Sequence, residues 1–140
     1  MASQPIRNAE YVEVIIPTGN TKSQIYFPDL PNLRNRPIFG IEAYTANEQS
    51  HSYSGAAVIT AALSVDATIT LYYDGGEYIQ VPFASLRRIA NGASGAGIYY
   101  NDIPALAGQN VVWTKSYISM NANVASFAGK NFVFSVYYNR

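Results

Sequence analysis

The chain has 140 residues, a length that fits one domain and leaves no room for two ordinary cores. Nine basic residues balance nine acidic ones, and only 13% of residues are charged against about 25% in an average globular chain, so no overall field draws the protein to nucleic acid or an anionic membrane. No cysteine is present, which excludes disulfides, thiolate metal sites and thiol nucleophiles together.

The segment Met1 to Arg7 lacks the basic, apolar and small-residue order of a signal peptide, so no export signal is expected, and residues 1–9 read as an extended or flexible arm. No apolar run approaches the roughly 18 residues that span a bilayer. Tyr11 to Ile16 is β-branched and aromatic and ends at Pro17 and Gly19, which predicts a first strand. Ser23 to Phe27 predicts a second, stopped by a loop in which Pro28 and Pro31 preclude a ladder. Ile38 to Tyr44 alternates, with Phe39, Ile41 and Ala43 expected inward and Ile38, Gly40, Glu42 and Tyr44 outward.

Thr45 to Gly55 has little to bury and reads as an exposed loop. Ala56 to Leu63 suits a strand slightly better than a short helix, despite its alanines. Ala67 to Tyr73, the turn Asp74-Gly75-Gly76 and Glu77 to Val81 form a hairpin whose glycines supply positive φ; a valine at Gly75 is expected to break it. Residues 85–89 fit a short helix or a strand, Asn91 to Gly97 a loop, and Val111 to Ser119 and Phe132 to Tyr138 two further strands. Seven or eight short strands without a long helix predict a β-sandwich or barrel.

Catalytic candidates are sparse. His51 is the only histidine, and with Ser50, Ser52 and Ser54 beside it in a polar loop it reads as solvated rather than as the base of a nucleophile system. Glu10, Glu13, Glu42, Asp74 and Glu77 could supply a carboxylate pair only through folding, and no spacing selects two of them. One histidine and scattered carboxylates give neither zinc spacing nor a calcium loop, so no metal is expected. The run from Gly92 to Gly97 has no lysine and no strand-to-helix setting, so it is not a phosphate loop; no cofactor is expected.

Interface candidates are better supplied. Arg34 with Arg36, and Arg87 with Arg88, are arginine clusters of the kind that meet a partner's carboxylates, though as solvated faces they need no partner. Twelve tyrosines stand against one tryptophan. In a strand the pairs Tyr72-Tyr73, Tyr99-Tyr100 and Tyr137-Tyr138 must send one ring of each out of the core, which favours a contact surface. Arg34, Arg36, Arg87, Arg88, Tyr99 and Tyr100 are the candidate subunit interface.

The segments Tyr11 to Asn20, Ile25 to Pro31, and Asp74-Gly75-Gly76 into Val81-Pro82-Phe83 resemble the single jelly-roll coat or vertex proteins of tailless icosahedral bacteriophages, particularly those with an internal membrane. The resemblance covers nearly the whole chain and rests on texture rather than a diagnostic motif. It implies a single jelly-roll β-sandwich of about eight antiparallel strands in two sheets and no active site. It implies a minor capsid or penton (vertex) role in a virion, made in the host cytoplasm. The partners it implies are copies of the chain itself, with a pentamer favoured, neighbouring capsid proteins, and contact with an internal membrane; no specific nucleic acid is implied. The rival is a carbohydrate-binding β-sandwich that uses an exposed, flat row of aromatic rings.

Overall fold

The computed structural model describes residues 7–47, 54–87, 101–102 and 110–139. Nine strands occur among these residues: β1 (Arg7–Ile15), β2 (Gln24–Tyr26), β3 (Ile38–Tyr44), β4 (Ala57–Val58), β5 (Ala67–Tyr72), β6 (Tyr78–Pro82), β7 (Asn101–Asp102), β8 (Tyr117–Met120) and β9 (Lys130–Asn139). Two four-residue helices, α1 (Ala61–Ser64) and α2 (Val124–Phe127), and 3-10 turns at Pro31–Leu33, Phe83–Leu86 and Trp113–Lys115 complete the described elements. Sheet A has the order β1-β9-β3-β7, with β4 parallel to the start of β9, and sheet B the order β2-β8-β5-β6. All other pairings are antiparallel, so the chain is all-β, built of two antiparallel sheets of four strands with β4 as an addition.

Apart from β4, the strands pair in a nested order. First pairs with last (β1 with β9), second with second-last (β2 with β8), third with third-last (β3 with β7), and the middle two (β5 with β6) with each other. Only the last of these is a local hairpin. Every other pair joins distant parts of the chain, so side-chain alternation across the sandwich, rather than turns, must fix the register. Val12, Val14, Ile69, Leu71, Ile118, Met120, Phe132, Phe134 and Val136 all face the core. An aromatic chain links its parts: Trp113 meets Phe27 at 5.3 Å, Phe27 meets Phe134 at 5.6 Å, Phe83 lies 5.4 Å from Phe134 and 5.3 Å from Phe132, and Phe127 stacks on Phe132 at 5.8 Å.

Several expectations are revised. Arg7 to Ala9 are not an arm: they extend β1 and pair with Tyr137 to Asn139, while residues 1–6 lie outside the described residues. In β3, Ile41 and Ala43 point inward as expected, but Ile38 is also buried, because the register shifts between Ile38 and Gly40. A bulge of this kind changes which face a residue serves without changing the composition of the strand. Glu42 lies on the outward side yet is only 1% exposed.

The stretch 56–63 is not one strand. It divides into β4 and α1, whose first turn is capped by Thr60 Oγ1 accepting from the Leu63 N–H at 3.3 Å. Val111 to Ser119 also divides: Val111 bridges to Tyr73, residues 113–115 form a 3-10 turn, and only from Tyr117 does the strand run. Ser116 accounts for the break, since its hydroxyl accepts the Tyr72 N–H at 3.1 Å in place of a backbone carbonyl. Residues 83–86 form a 3-10 turn, and β7 and α2 had no signal in the sequence.

The hairpin stands, with a different glycine at its hinge. Gly76 N–H bonds to the Tyr73 carbonyl at 3.0 Å and Tyr73 N–H to the Glu77 carbonyl at 2.8 Å, which makes a three-residue loop closed by a left-handed residue. That residue is Gly76, at φ +86°; Gly75 has no positive φ and open space around its Cα.

Candidate functional site

The outward face of sheet B is a tyrosine surface. Alternation from the buried Ile118, Ile69 and Leu71 sends Tyr26, Tyr117, Tyr72 and Tyr78 outward, one from each strand. Their rings form a continuous row: Tyr26 to Tyr117 at 5.5 Å, Tyr117 to Tyr72 at 6.3 Å and Tyr72 to Tyr78 at 5.2 Å. Tyr26 and Tyr78 are 56% and 55% exposed, whereas Thr70 on the same outward side is fully buried. Gln24, Ser119, Thr68, Gln80 and Pro82 complete the face, and none of the four strands contains a charged residue. Desolvation, and then the neighbouring Tyr117 and Tyr78, push the Tyr72 phenol above its ordinary value. The rings are inclined to one another by 37° to 61°, so the row is corrugated and not a flat platform.

The loops at the Tyr26 and Tyr72 end of sheet B border an open-sided cavity of about 210 Å³. Asp29 and Arg34 reach it from the loop after β2, Asp74 from the hairpin turn, and residues 110–114 form the remaining wall. Arg34 donates to Asp29 Oδ2 at 2.6 Å, so the two charges of that loop that line the cavity are paired with each other. Trp113, 4% exposed, and Asn110 carry atoms buried without a hydrogen-bond partner among the described residues, the indole N–H and the amide oxygen respectively.

The outward face of sheet A is polar and buried at its centre, while Ile15 at the end of β1 is 49% exposed. Asn131 and Val133 are fully buried although they point away from the core. Asn131 Nδ2 donates to Glu13 Oε1 and to Ser54 Oγ. The Tyr44 hydroxyl donates to Glu42 Oε1 and lies 3.0 Å from Ser135 Oγ. Burial first, and then the hydrogen bond to Glu42, hold the Tyr44 phenol well above its ordinary range.

The described interface candidates, Arg34, Arg36 and Arg87, do not gather in one place. Arg34 lines the cavity, and Arg36 sits over the Tyr138 ring with its guanidinium carbon 5.5 Å from the centroid. Arg87 bridges to Ala43, five residues along β3 from Ile38 and so about 17 Å from the arginine loop's end of that strand. Arg88, Tyr99, Tyr100, His51 and the loop 91–97 lie outside the described residues. Of the proposed carboxylates, Glu13 and Glu42 share the covered face of sheet A, while Asp74 and Glu77 belong to the exposed hairpin. No cluster of three or more histidine, aspartate or glutamate side chains able to hold a metal occurs among the described residues, and no described helix is long and apolar enough to cross a membrane. The tyrosine row was half legible: Tyr72 faces out and Tyr73 in, as the pair required, but its union with Tyr26, Tyr78 and Tyr117 depends on strand order. The cavity was not legible, since its walls come from three loops distant in sequence.

No family model matches the chain, and no curated protein or solved structure matches it.

Proposed function

We propose that the protein is a jelly-roll shell subunit, a virion structural protein that works by assembling with copies of itself and with neighbouring capsid proteins. The observation that carries this reading is the charge-free tyrosine face of sheet B. The centres of protein interfaces are depleted in charge and enriched in tyrosine, whose ring supplies contact area at little cost in side-chain entropy. The nested strand pairing supports the same reading, because first-with-last pairing wound into two sheets is the order of a jelly roll, a fold used by capsid subunits and also by lectins and cupins. A minor capsid or penton role, with a pentameric ring, follows from the sequence resemblance and belongs to this proposal.

Geometry sets the scale of the contact. Four strands at about 4.8 Å spacing, each five or six residues long at most, give a face roughly 20 Å on a side, or about 400 Å² in plan. A stable interface buries about 800 Å² on each partner, so loops at the rim must join it; the loop carrying Arg34 and Arg36 starts two residues after Tyr26. Two such contacts in a ring would cover about a fifth of the 7579 Å² surface of one subunit. As a glycan-stacking platform the row is poorly suited, because inclined rings cannot offer one continuous flat surface to a sugar chain.

The experiment is light scattering on the parent and on a Tyr26→Lys/Tyr78→Lys double variant, with a thermal melt of each. A multimeric parent and a monomeric variant that melts within a few degrees of it are expected. A parent that stays monomeric at its highest soluble concentration, or a folded variant that keeps the parent's mass, overturns the reading.

A further inference from the structure

We propose that the open edge of β6 pairs with the same edge of a second copy, antiparallel and about a two-fold axis at Ile79, so that two subunits share one continuous sheet B. The proposal rests on the assembly reading and names one contact within it.

The ladder fixes which groups of β6 are free. β6 ends sheet B and pairs only with β5 among the described residues, in an unbroken register that sets Thr68 opposite Pro82 and Tyr72 opposite Tyr78. Bonding alternates along an antiparallel pair. The Tyr73 N–H bonds to the Glu77 carbonyl at 2.8 Å, so Glu77, Ile79 and Val81 turn their backbone groups to β5, while Tyr78, Gln80 and Pro82 turn theirs to the open edge. Two observations agree: the Tyr72 N–H, opposite Tyr78, bonds away from β6 to Ser116 Oγ, and Pro82, which has no N–H to give, falls in the outer set. The Pro82 carbonyl already accepts from Ser85 Oγ at 2.8 Å. Tyr78, 55% exposed, and Gln80, also exposed, thus present N–H and C=O groups that no described residue meets.

Sheet edges are normally short or guarded by charge. Among the described edges, β2 and β7 have three residues or fewer, and β1 carries Glu10 and Glu13. β6 has five residues, none charged, and its one proline stands at the end. The occupant is a second copy because this edge is complementary to itself. With Ile79 on the axis, Tyr78 lies opposite Gln80 of the other copy, and the N–H and C=O of both residues pair across the axis, while Pro82 falls beyond the ladder, opposite the Gly76 turn. The next such register, with Gln80 on the axis, sets Tyr78 against Pro82 and leaves the Tyr78 carbonyl without a donor. Glu77 comes to lie opposite Val81, about 13 Å along the strand from its own counterpart, so no like charges meet. The axis also keeps both tyrosine faces on one side of the joined sheet. One such face, about 400 Å² in plan, falls short of the roughly 800 Å² that a stable interface buries on each partner, and two joined edge to edge reach it. Being two-fold, the contact makes pairs and leaves the ring to the rest of the surface.

Gln80→Pro removes one outward N–H and no bond to β5, as Pro82 does two residues on, whereas Gln80→Ala loses the same side chain and keeps the N–H. The experiment is light scattering with a thermal melt on the parent, both Gln80 variants and Tyr26→Lys. The two Gln80 variants should melt close together, with the mass of Gln80→Pro at most about half that of Gln80→Ala at the same concentration. A folded Gln80→Pro that keeps the mass of Gln80→Ala overturns the pair and leaves the tyrosine face standing. Loss of mass in Gln80→Pro but not in Tyr26→Lys keeps the pair and sinks the face as a contact, and a parent monomeric at its highest soluble concentration sinks both. Hydrogen exchange of the parent, read residue by residue, decides even where Gln80→Pro fails to fold. From dilute to concentrated protein the Tyr78 and Gln80 N–H groups should slow about tenfold or more, while those of Ile79 and Val81, already bonded to β5, are protected throughout. Fast exchange at Tyr78 and Gln80 at every concentration overturns the proposal.

Discussion

Sheet A carries Arg7, Glu10, Glu13, Glu42, Asp102 and Lys130 within its strands, whereas the four strands of sheet B contain no charged residue. Yet it is the charged sheet whose outward face is buried at its centre. Glu42, Asn131 and Val133 point away from the core and are buried, with Glu42 Oε1 tied to Tyr44 and Asn131 Nδ2 to Glu13 and Ser54, while Tyr26 and Tyr78 on the neutral sheet stand open. The contrast teaches that outward polarity and exposure are separate properties. A carboxylate can be taken from water where side chains such as Tyr44 replace its hydration, and a neutral face can be left in water because tyrosine hydroxyls and amides keep it wetted. Sheet A thus spends the centre of its outward face on stability, and sheet B leaves its own open to water.

The largest expected effect breaks this contrast at its centre. Asn131→Ala removes a fully buried amide that serves Glu13 and Ser54, and should cost about 3 kcal/mol, from the lost bonds to a charged acceptor together with the space left behind. Gln80→Ala on sheet B removes an exposed amide bonded to Thr70 at 3.3 Å and should stay within about 0.5 kcal/mol. Urea denaturation of both variants checks the pair. Equal losses would mean that the two outer faces contribute alike.

Tyr44→Phe is next, at about 2 kcal/mol, since it takes a donor from the buried Glu42 carboxylate. It also has a pH signature. The folded state holds the Tyr44 phenol neutral well above its ordinary value of about 10, so its contribution is whole below pH 10. Above that pH the unfolded chain loses the proton while the folded chain keeps it, and stability falls with a slope of at most about 1.4 kcal/mol per pH unit from this group. Melting temperatures measured from pH 9 upward should therefore fall less steeply in Tyr44→Phe than in the parent. A residual slope is expected, because desolvation raises the Tyr72 and Tyr73 phenols as well.

On sheet B the sharper test is the hairpin that sets Tyr72 beside Tyr78. Gly76→Val forces a β-branched residue to positive φ and should cost about 1–2 kcal/mol, while Gly75→Val should be nearly silent in open space without positive φ. Thermal melts of the two variants decide between the glycines; the reverse ranking would mean that the turn closes differently.

Much of the sandwich could be read from alternation, and the failures share a cause. Period-two patterning assigned faces correctly for Ile41 and Ala43 and put the Tyr72 and Tyr73 rings on opposite faces without saying which was inward, because those statements need only the pleat. It failed at Ile38, where the register shift after this residue resets the face, and at Ser116, where a side chain takes a ladder bond. It could not foresee β7, whose two residues pair with Gly40 and Ile41, because so short a strand is defined by its partner and not by its own sequence. The buried state of Glu42 was hidden for the same reason: alternation tells which way a residue points, not what lies over it. Cavity and tyrosine row are products of nested pairing, which brings together the residues after positions 26, 72 and 112 and which no local pattern records.

The smallest effect separates inside from outside within a single dipeptide. Tyr73 is 6% exposed, and its hydroxyl is buried with no hydrogen-bond partner among the described residues. Burial raises its phenol, with the nearby Glu77 charge adding to the shift, as expected where a hydroxyl has given up water and gained no replacement. Removing that oxygen therefore relieves a desolvation cost instead of breaking a bond, and Tyr73→Phe should stabilise the fold by about 1 kcal/mol, a rise in melting temperature of roughly 2–8 °C. Tyr72 has the opposite setting. Its ring lies on the tyrosine row at 5.2 Å from Tyr78, so Tyr72→Phe keeps the ring contacts, gives up only a hydroxyl on the outer face beside Tyr117, and should melt with the parent. Calorimetry of the two single variants measures the difference. Loss of stability in Tyr73→Phe would show that its hydroxyl is satisfied, and a large loss in Tyr72→Phe would show that the outer row of sheet B supports the fold as much as it offers a surface.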